Sequence, residues 1–155
     1  MRMAFHRCEC EMGQAQNYEI YCPTLVLAEC AAAISRQTDD PSLAEELIGI
    51  IIDMPAINLI PLDLPLAIRA STMALKYRLR GADSVYVAVA AAYDAALITW
   101  DKEMLKRGSM VVETSTPDLV VDDPAASSPD LAFRPISSYD FKFYRLFSNI
   151  NNEKS

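Results

Sequence analysis

Glu29, Asp83 and Asp101 are the residues of this chain whose type and setting could carry chemistry. Asp101 directly follows the apolar run Leu97-Ile98-Thr99-Trp100, which reads as the end of a buried strand. In open sheets of parallel strands, ligands bind just beyond the carboxyl ends of the strands, so an acid at that position is well placed to hold a metal ion. The same position suits a helix N-cap, and both roles stay open. Asp83 lies at the start of a long apolar helix in the string GADSVYVAVA, residues 81–90, where capping and ligation fit equally. Glu29 sits in mid-helix among Leu25, Val26, Leu27, Ala28, Cys30 and Ala31, which are apolar or small. A lone carboxylate buried there costs on the order of several kcal/mol unless a cation or a donor meets it. A salt bridge with Arg36, or with an arginine from another helix, is the structural alternative to a ligand role.

Other chemistries find little support. The chain has one histidine, His6, far in sequence from any nucleophile elbow, which argues against Ser/His/Asp or Cys/His catalysis. Its four glycines, Gly13, Gly49, Gly81 and Gly108, are scattered, so there is no glycine-rich phosphate loop. His6, Cys8, Cys10 and Cys22 lack a Cys-x-x-Cys pair, and reduced thiols in a cytoplasm are a simpler reading than a zinc site. A phosphotransfer domain would want an acidic pair on the first strand, and none is present there.

The elements that must position these acids alternate between strand and helix. Residues 1–17 read as a short amphipathic helix, and 18–22 as a strand end stopped by Pro23. Residues 24–36 follow as a helix, and 43–54 as a second one that Asp39, Asp40, Pro41 and Ser42 open and Pro55 ends. Residues 57–60 form a short apolar strand. The stretch 62–79 predicts a helix with basic residues near its end and Gly81 in the C′ position. Asp83 or Ser84 then caps a helix reaching about Asp94, followed by a strand at 96–100, a short helix at 101–107 and a last strand at 110–112. Strands alternating with helices predict a parallel sheet covered on both faces.

Composition bounds the rest. With 155 residues, 52% of them hydrophobic, the chain can bury one core and is too short for two. A net charge of -7 excludes coating nucleic acid by bulk electrostatics, because that mode needs many cations against the phosphates. No apolar run approaches the roughly 18–20 residues that span a bilayer, and Arg7, Glu9 and Glu11 interrupt any signal-peptide core. From 115 to 129 the composition turns to Pro, Ser and Asp, which reads as a linker. Residues 139–147 carry five aromatics and read as a docking segment.

Three strings in order, PTLVLAEC at 23–30, GADSVYVAVA at 81–90 and LITWDKE at 97–103, resemble the PIN domain family, particularly the ribonuclease toxins of the VapC type. The resemblance runs from about Cys22 to Glu113. It implies a three-layer α/β/α sandwich with a parallel sheet over residues 1–114, and a partly disordered C-terminal extension over 115–155. It also implies that Glu29, Asp83 and Asp101 are catalytic and bind Mg²⁺ or Mn²⁺, with Thr99 behind them and Glu103 adding charge at the rim. Clustered carboxylates that repel one another are stabilised by a divalent cation, and hard oxygen donors suit Mg²⁺. The implied function is a cytoplasmic, Mg²⁺-dependent endoribonuclease of toxin-antitoxin type, held by a cognate antitoxin and paired as a homodimer. Lys76, Arg78, Arg80 and Lys102, with Lys106 and Arg107, flank the acids and could meet RNA phosphates, or simply be solvated helix ends.

The chain departs from the family pattern at its start. The family opens on a central strand ending in an aspartate, whereas this chain has no aspartate before Asp39. A central strand cannot be lost without leaving backbone groups unpaired on both neighbours. A downstream start site and a truncated reading frame are the expected explanations, ahead of a replacement strand from the termini or a second chain. Glu9, Glu11 and Glu19 sit at no expected strand end. The competing function is a catalytically inactive PIN-like domain that binds RNA or a protein.

Overall fold

The computed structural model describes residues 2–7 and 18–117. Among the described residues the strands are β1 (Arg2–Arg7), β2 (Tyr18–Pro23), β3 (Ile57–Ile60), β4 (Ala96–Thr99) and β5 (Thr114–Ser115). The helices are α1 (Leu25–Thr38), α2 (Pro41–Asp53), α3 (Leu64–Tyr77), α4 (Gly81–Ala92) and α5 (Lys102–Gly108). The sheet order is β3-β2-β1-β4-β5. β3 runs parallel to β2 and β5 parallel to β4, while β1 is antiparallel to both its neighbours. Four strands therefore share one direction and the central strand alone is reversed. The architecture is the α/β/α sandwich expected from the alternation of elements.

Local chemistry explains the helix boundaries. Asp40 caps α2 by accepting from Ser42 N and Leu43 N, with Pro41 in the first turn, where its missing N–H costs nothing. Asp63 caps α3 through Leu66 N in the same way. α4 is buried from Asp83 through Ala90, as its all-round apolar sequence requires. It lies on β1, β2 and β4 and packs against α3, where Ala70 and Ala88, 3% and 0% exposed, let the two helix backbones approach closely. α1 pairs with α2, and Cys22, Val26, Cys30, Ile34, Leu47 and Ile51 continue the core from β2 into that pair.

Several expectations need correction. The segment 1–17 was expected to be helical, but Arg2–Arg7 is a strand; residues 8–17 lie outside the described residues. The reason is tertiary: the neighbours β2 and β4 present backbone donors and acceptors that only a strand between them can satisfy. Gly81 does not follow α3 as its C′ residue. Arg78 takes the left-handed position at φ 54°, its carbonyl accepting from Arg107 Nη1, and Gly81 begins α4. Neither Asp83 nor Ser84 caps α4: Arg80 holds that position without a side-chain cap, and Ser84 Oγ donates to Gly81 O at 2.7 Å. Residues 110–112 form a turn whose Val111 and Val112 amides return to Gly108 O, so the last strand is Thr114–Ser115 instead. The expected linker and aromatic segment, 118–155, lie outside the described residues.

Burial pushes the thiol of Cys22 up from 9.0 to about 12 and that of Cys30 to about 11, so both stay protonated and serve as core atoms. In the unfolded chain these thiols ionise near 9.0, below their folded values, so unfolding releases protons at alkaline pH. Their contribution to stability is complete below pH 9.0 and is lost as pH rises towards the folded values. Urea midpoints measured from neutral pH upward should fall above pH 9.0, and Cys22→Val should fall less steeply than the wild type.

Candidate functional site

Three connections bring the expected acids to one edge of the sheet. β2 ends at Pro23 and α1 begins at Leu25, so Glu29 stands in the second turn beyond that strand's carboxyl end. β4 ends at Thr99, and Asp101 follows two residues later as the N-cap of α5. α4 feeds β4 through the short turn at Tyr93–Ala95, so the helix runs back along the sheet and its first turn, with Asp83, lies toward the carboxyl end of β4.

At that edge the side chains are held by specific partners. Asp101 Oδ1 accepts from Glu103 N at 2.9 Å and Met104 N at 3.0 Å, and the Asp101 amide donates to Thr99 Oγ1 at 3.1 Å. The capping role left open by the sequence is therefore filled. It does not exhaust a carboxylate with two oxygens. Thr99 is 1% exposed and fixes the backbone from which Asp101 projects. Asp83 is 2% exposed in the first turn of α4, where the positive end of the helix dipole favours an acid.

Glu29 is half-buried and accepts a hydrogen bond from Tyr86 Oη at 2.6 Å. Tyr86 is 1% exposed and three residues beyond Asp83, so the two share a face of α4. Burial first, then the hydrogen bond to Glu29 and that group's charge, push the Tyr86 hydroxyl well above its ordinary range, and it stays a donor. Sequence reasoning missed Tyr86. Its signal was a lone hydroxyl in the aliphatic run Val85 to Ala90, one turn from Asp83.

The rim is less acidic than the sequence suggested. Glu103 pairs with Arg107 at 2.8 Å and with Arg80 at 3.2 Å, linking α5 to the start of α4. Lys76, Arg78 and Lys102 are exposed, with Lys76 Nζ 5.1 Å from the centre of the Tyr77 ring. Glu19, on β2, is exposed and accepts from the Tyr21 hydroxyl.

Carboxylates from three elements, with a threonine hydroxyl beside them, are the donor type that a hard divalent cation takes. Among the described residues no three His, Cys, Asp or Glu side chains stand close enough together to hold an ion as they are. Two of the acids are turned to protein donors instead, Glu29 to Tyr86 and Asp101 to the amides it caps. The reversed β1 also sets the backbone of Arg2 in register with Thr99, so a basic residue ends the central strand at this edge.

Comparison with known proteins gives one family: the model of the PIN domain matches residues 9–109, a span that includes β2 to β4 and all five helices and starts after β1. No curated protein and no solved structure matches significantly.

The capping geometry separates the structural role of Asp101 from any chemical one. Asp101→Ala should lower stability by about 1 kcal/mol through loss of the cap, whereas Asp101→Asn, which caps as well, should melt close to the wild type. Thermal melts of the two variants in a chelating buffer read the difference.

Proposed function

We propose that this chain, which belongs to the PIN domain family and so has a nuclease-type fold, is a metal-dependent endoribonuclease of toxin-antitoxin type that hydrolyses RNA phosphodiester bonds. The observation that supports it most is the match of the PIN domain model to residues 9–109, a span that carries Glu29 on α1, Asp83 in the first turn of α4 and Asp101 just after β4. Glu29, Asp83 and Asp101 would hold Mg²⁺ or Mn²⁺. The ion, when bound, supplies an activated water and steadies the leaving oxygen.

The protein's own part in the reaction is placement. α4, buried from Asp83 to Ala90, fixes Asp83; the cap bonds and Thr99 fix Asp101; Tyr86 fixes one oxygen of Glu29. Arg80 and Lys102 flank Asp83 and Asp101 in sequence, Arg80 reaching Glu103, and Lys76 and Arg78 add basic residues at the end of α3. They would orient phosphates rather than read bases. In the toxin reading the domain acts in the cytoplasm, pairs as a homodimer and is held by an antitoxin protein. Exposed Leu64, Ile68 and Leu75 on α3 offer apolar surface that a protein partner would cover. No described helix is long and apolar enough to cross a membrane.

A second reading, a catalytically inactive PIN-like domain that binds RNA or a protein, is favoured by β1. Where the family resemblance puts an aspartate on the central strand, this chain has Arg2 in register with Thr99.

Calorimetry with Mn²⁺ and Mg²⁺ on the full chain, beside Asp83→Asn/Asp101→Asn, separates the two. Binding in the wild type that the double variant loses, together with Mg²⁺-dependent cleavage of a labelled single-stranded RNA, is the expected outcome. A folded wild type that binds neither ion supports the inactive domain.

A further inference from the structure

Trp100 is the chain's one tryptophan, and it stands in water just past the carboxyl end of β4. Leu97, Ile98 and Thr99 before it are buried, whereas Trp100 is 47% exposed. Single apolar side chains on a surface are ordinary, so exposure alone decides nothing. Place and surroundings do. Ligands of open sheets bind beyond the carboxyl ends of the strands, and Trp100 occupies that end of β4, next to Asp101. Tyr93, a second exposed ring, lies at the opposite end of β4 and is stacked on Tyr21 with ring centres 4.4 Å apart. Among the described residues Trp100 has no such ring partner. Cations follow it closely. Lys102 is exposed two residues on, and Arg80, itself 68% exposed, reaches Glu103 at 3.2 Å, three residues past the tryptophan. The acids nearest in sequence are engaged, Asp101 as the cap of α5 and Glu103 with Arg80 and Arg107.

An exposed indole beside cations is the combination that holds a single strand: the ring stacks on a base while the cations meet the flanking phosphates. A base within a duplex has both faces covered by its neighbours and cannot take the ring. We propose that Trp100 is a stacking platform for a base of single-stranded RNA and makes unpaired RNA the substrate class of this domain. The proposal rests on the RNA reading given above, applies equally to a domain that cuts and to one that only binds, and needs no metal ion.

The test titrates the full chain, in chelator so that nothing is cut, with a short labelled single-stranded RNA and with the duplex of the same sequence. Anisotropy of the label reads affinity, and the emission of the one tryptophan reads stacking directly. The single strand should quench that emission and the duplex should not. Trp100→Leu, which keeps apolar bulk but no ring face, should bind the single strand about 10-fold more weakly, while Trp100→Phe should keep most of the affinity. Tyr93→Leu, at the far end of β4, should bind like the wild type, and melting curves confirm that the variants are folded. Equal affinity in the wild type and Trp100→Leu, or emission that the bound single strand leaves unchanged, would overturn the platform and leave the RNA reading standing. A folded wild type that binds neither form of RNA would overturn both.

Discussion

The centre of this fold is a helix whose middle water does not reach, packed against α3, β1, β2 and β4. α4 is buried from Asp83 to Ala90, and a segment that apolar could be satisfied by packing alone. It nevertheless carries Asp83, Ser84 and Tyr86. Polar groups taken out of water must find partners within the protein or they destabilise it, so each restricts what can surround the helix. Ser84 is satisfied locally by Gly81 O, which costs the fold nothing beyond the first turn. Tyr86 demands an acceptor from outside the helix, and Glu29 of α1 answers it. That bond ties α1, which otherwise packs on α2, to α4.

The sheet obeys a second constraint, the pairing of backbone groups, and resolves it in an unusual way. β2 and β4 run in the same direction and are separated by the width of one strand, a slot that cannot be left empty. β1 fills it in reverse, paired from Ala4 to Arg7 with β2 and from Arg2 to Phe5 with β4. Hydrogen-bond pairing is thus complete on both neighbours over this register, but direction matters for chemistry. A parallel strand would bring its carboxyl end to the acidic edge; the reversed one brings its amino end, and with it Arg2. Fold and site therefore answer to different features of the same strand: pairing needs only an extended backbone, whereas the site needs a particular residue at a particular end.

This difference explains which features could be read from the sequence. α1, α2, α4, α5 and the strands at 57–60 and 96–99 carry periodicity, and α2 and α5 side-chain caps as well, all local properties, and they appeared nearly where expected. Asp101 as a cap, Pro41 at a helix start, and Glu29 in need of a partner were likewise legible from neighbouring residues. What escaped depended on contacts distant in sequence. The strand at Arg2–Arg7 exists because of β2 and β4, the left-handed Arg78 is tied to Arg107, and Thr114–Ser115 is a strand because it meets Leu97 and Ile98. The hydroxyl of Tyr86 stood out in its aliphatic run, but its partner lies 57 residues away and could not be read from its neighbours.

Charge sets the last condition on the nuclease reading. A chain of net charge -7 repels a polyanion over most of its surface, so productive approach depends on a few cations next to the acids. Two of these, Arg80 and Arg107, are paired with the same carboxylate, Glu103. Exposed ion pairs of this kind contribute only about 0–1 kcal/mol, and a phosphate presents a guanidinium with the same planar pair of acceptors that a carboxylate does. Replacing Glu103 by an RNA phosphate at Arg80 therefore exchanges one weak partner for a comparable one, at little cost in free energy. Glu103 ties Arg80 before the start of α4 to Arg107 of α5. The acid at the rim is thus matched to basic residues, with Arg80 three residues from Asp83 in a chain of net charge -7.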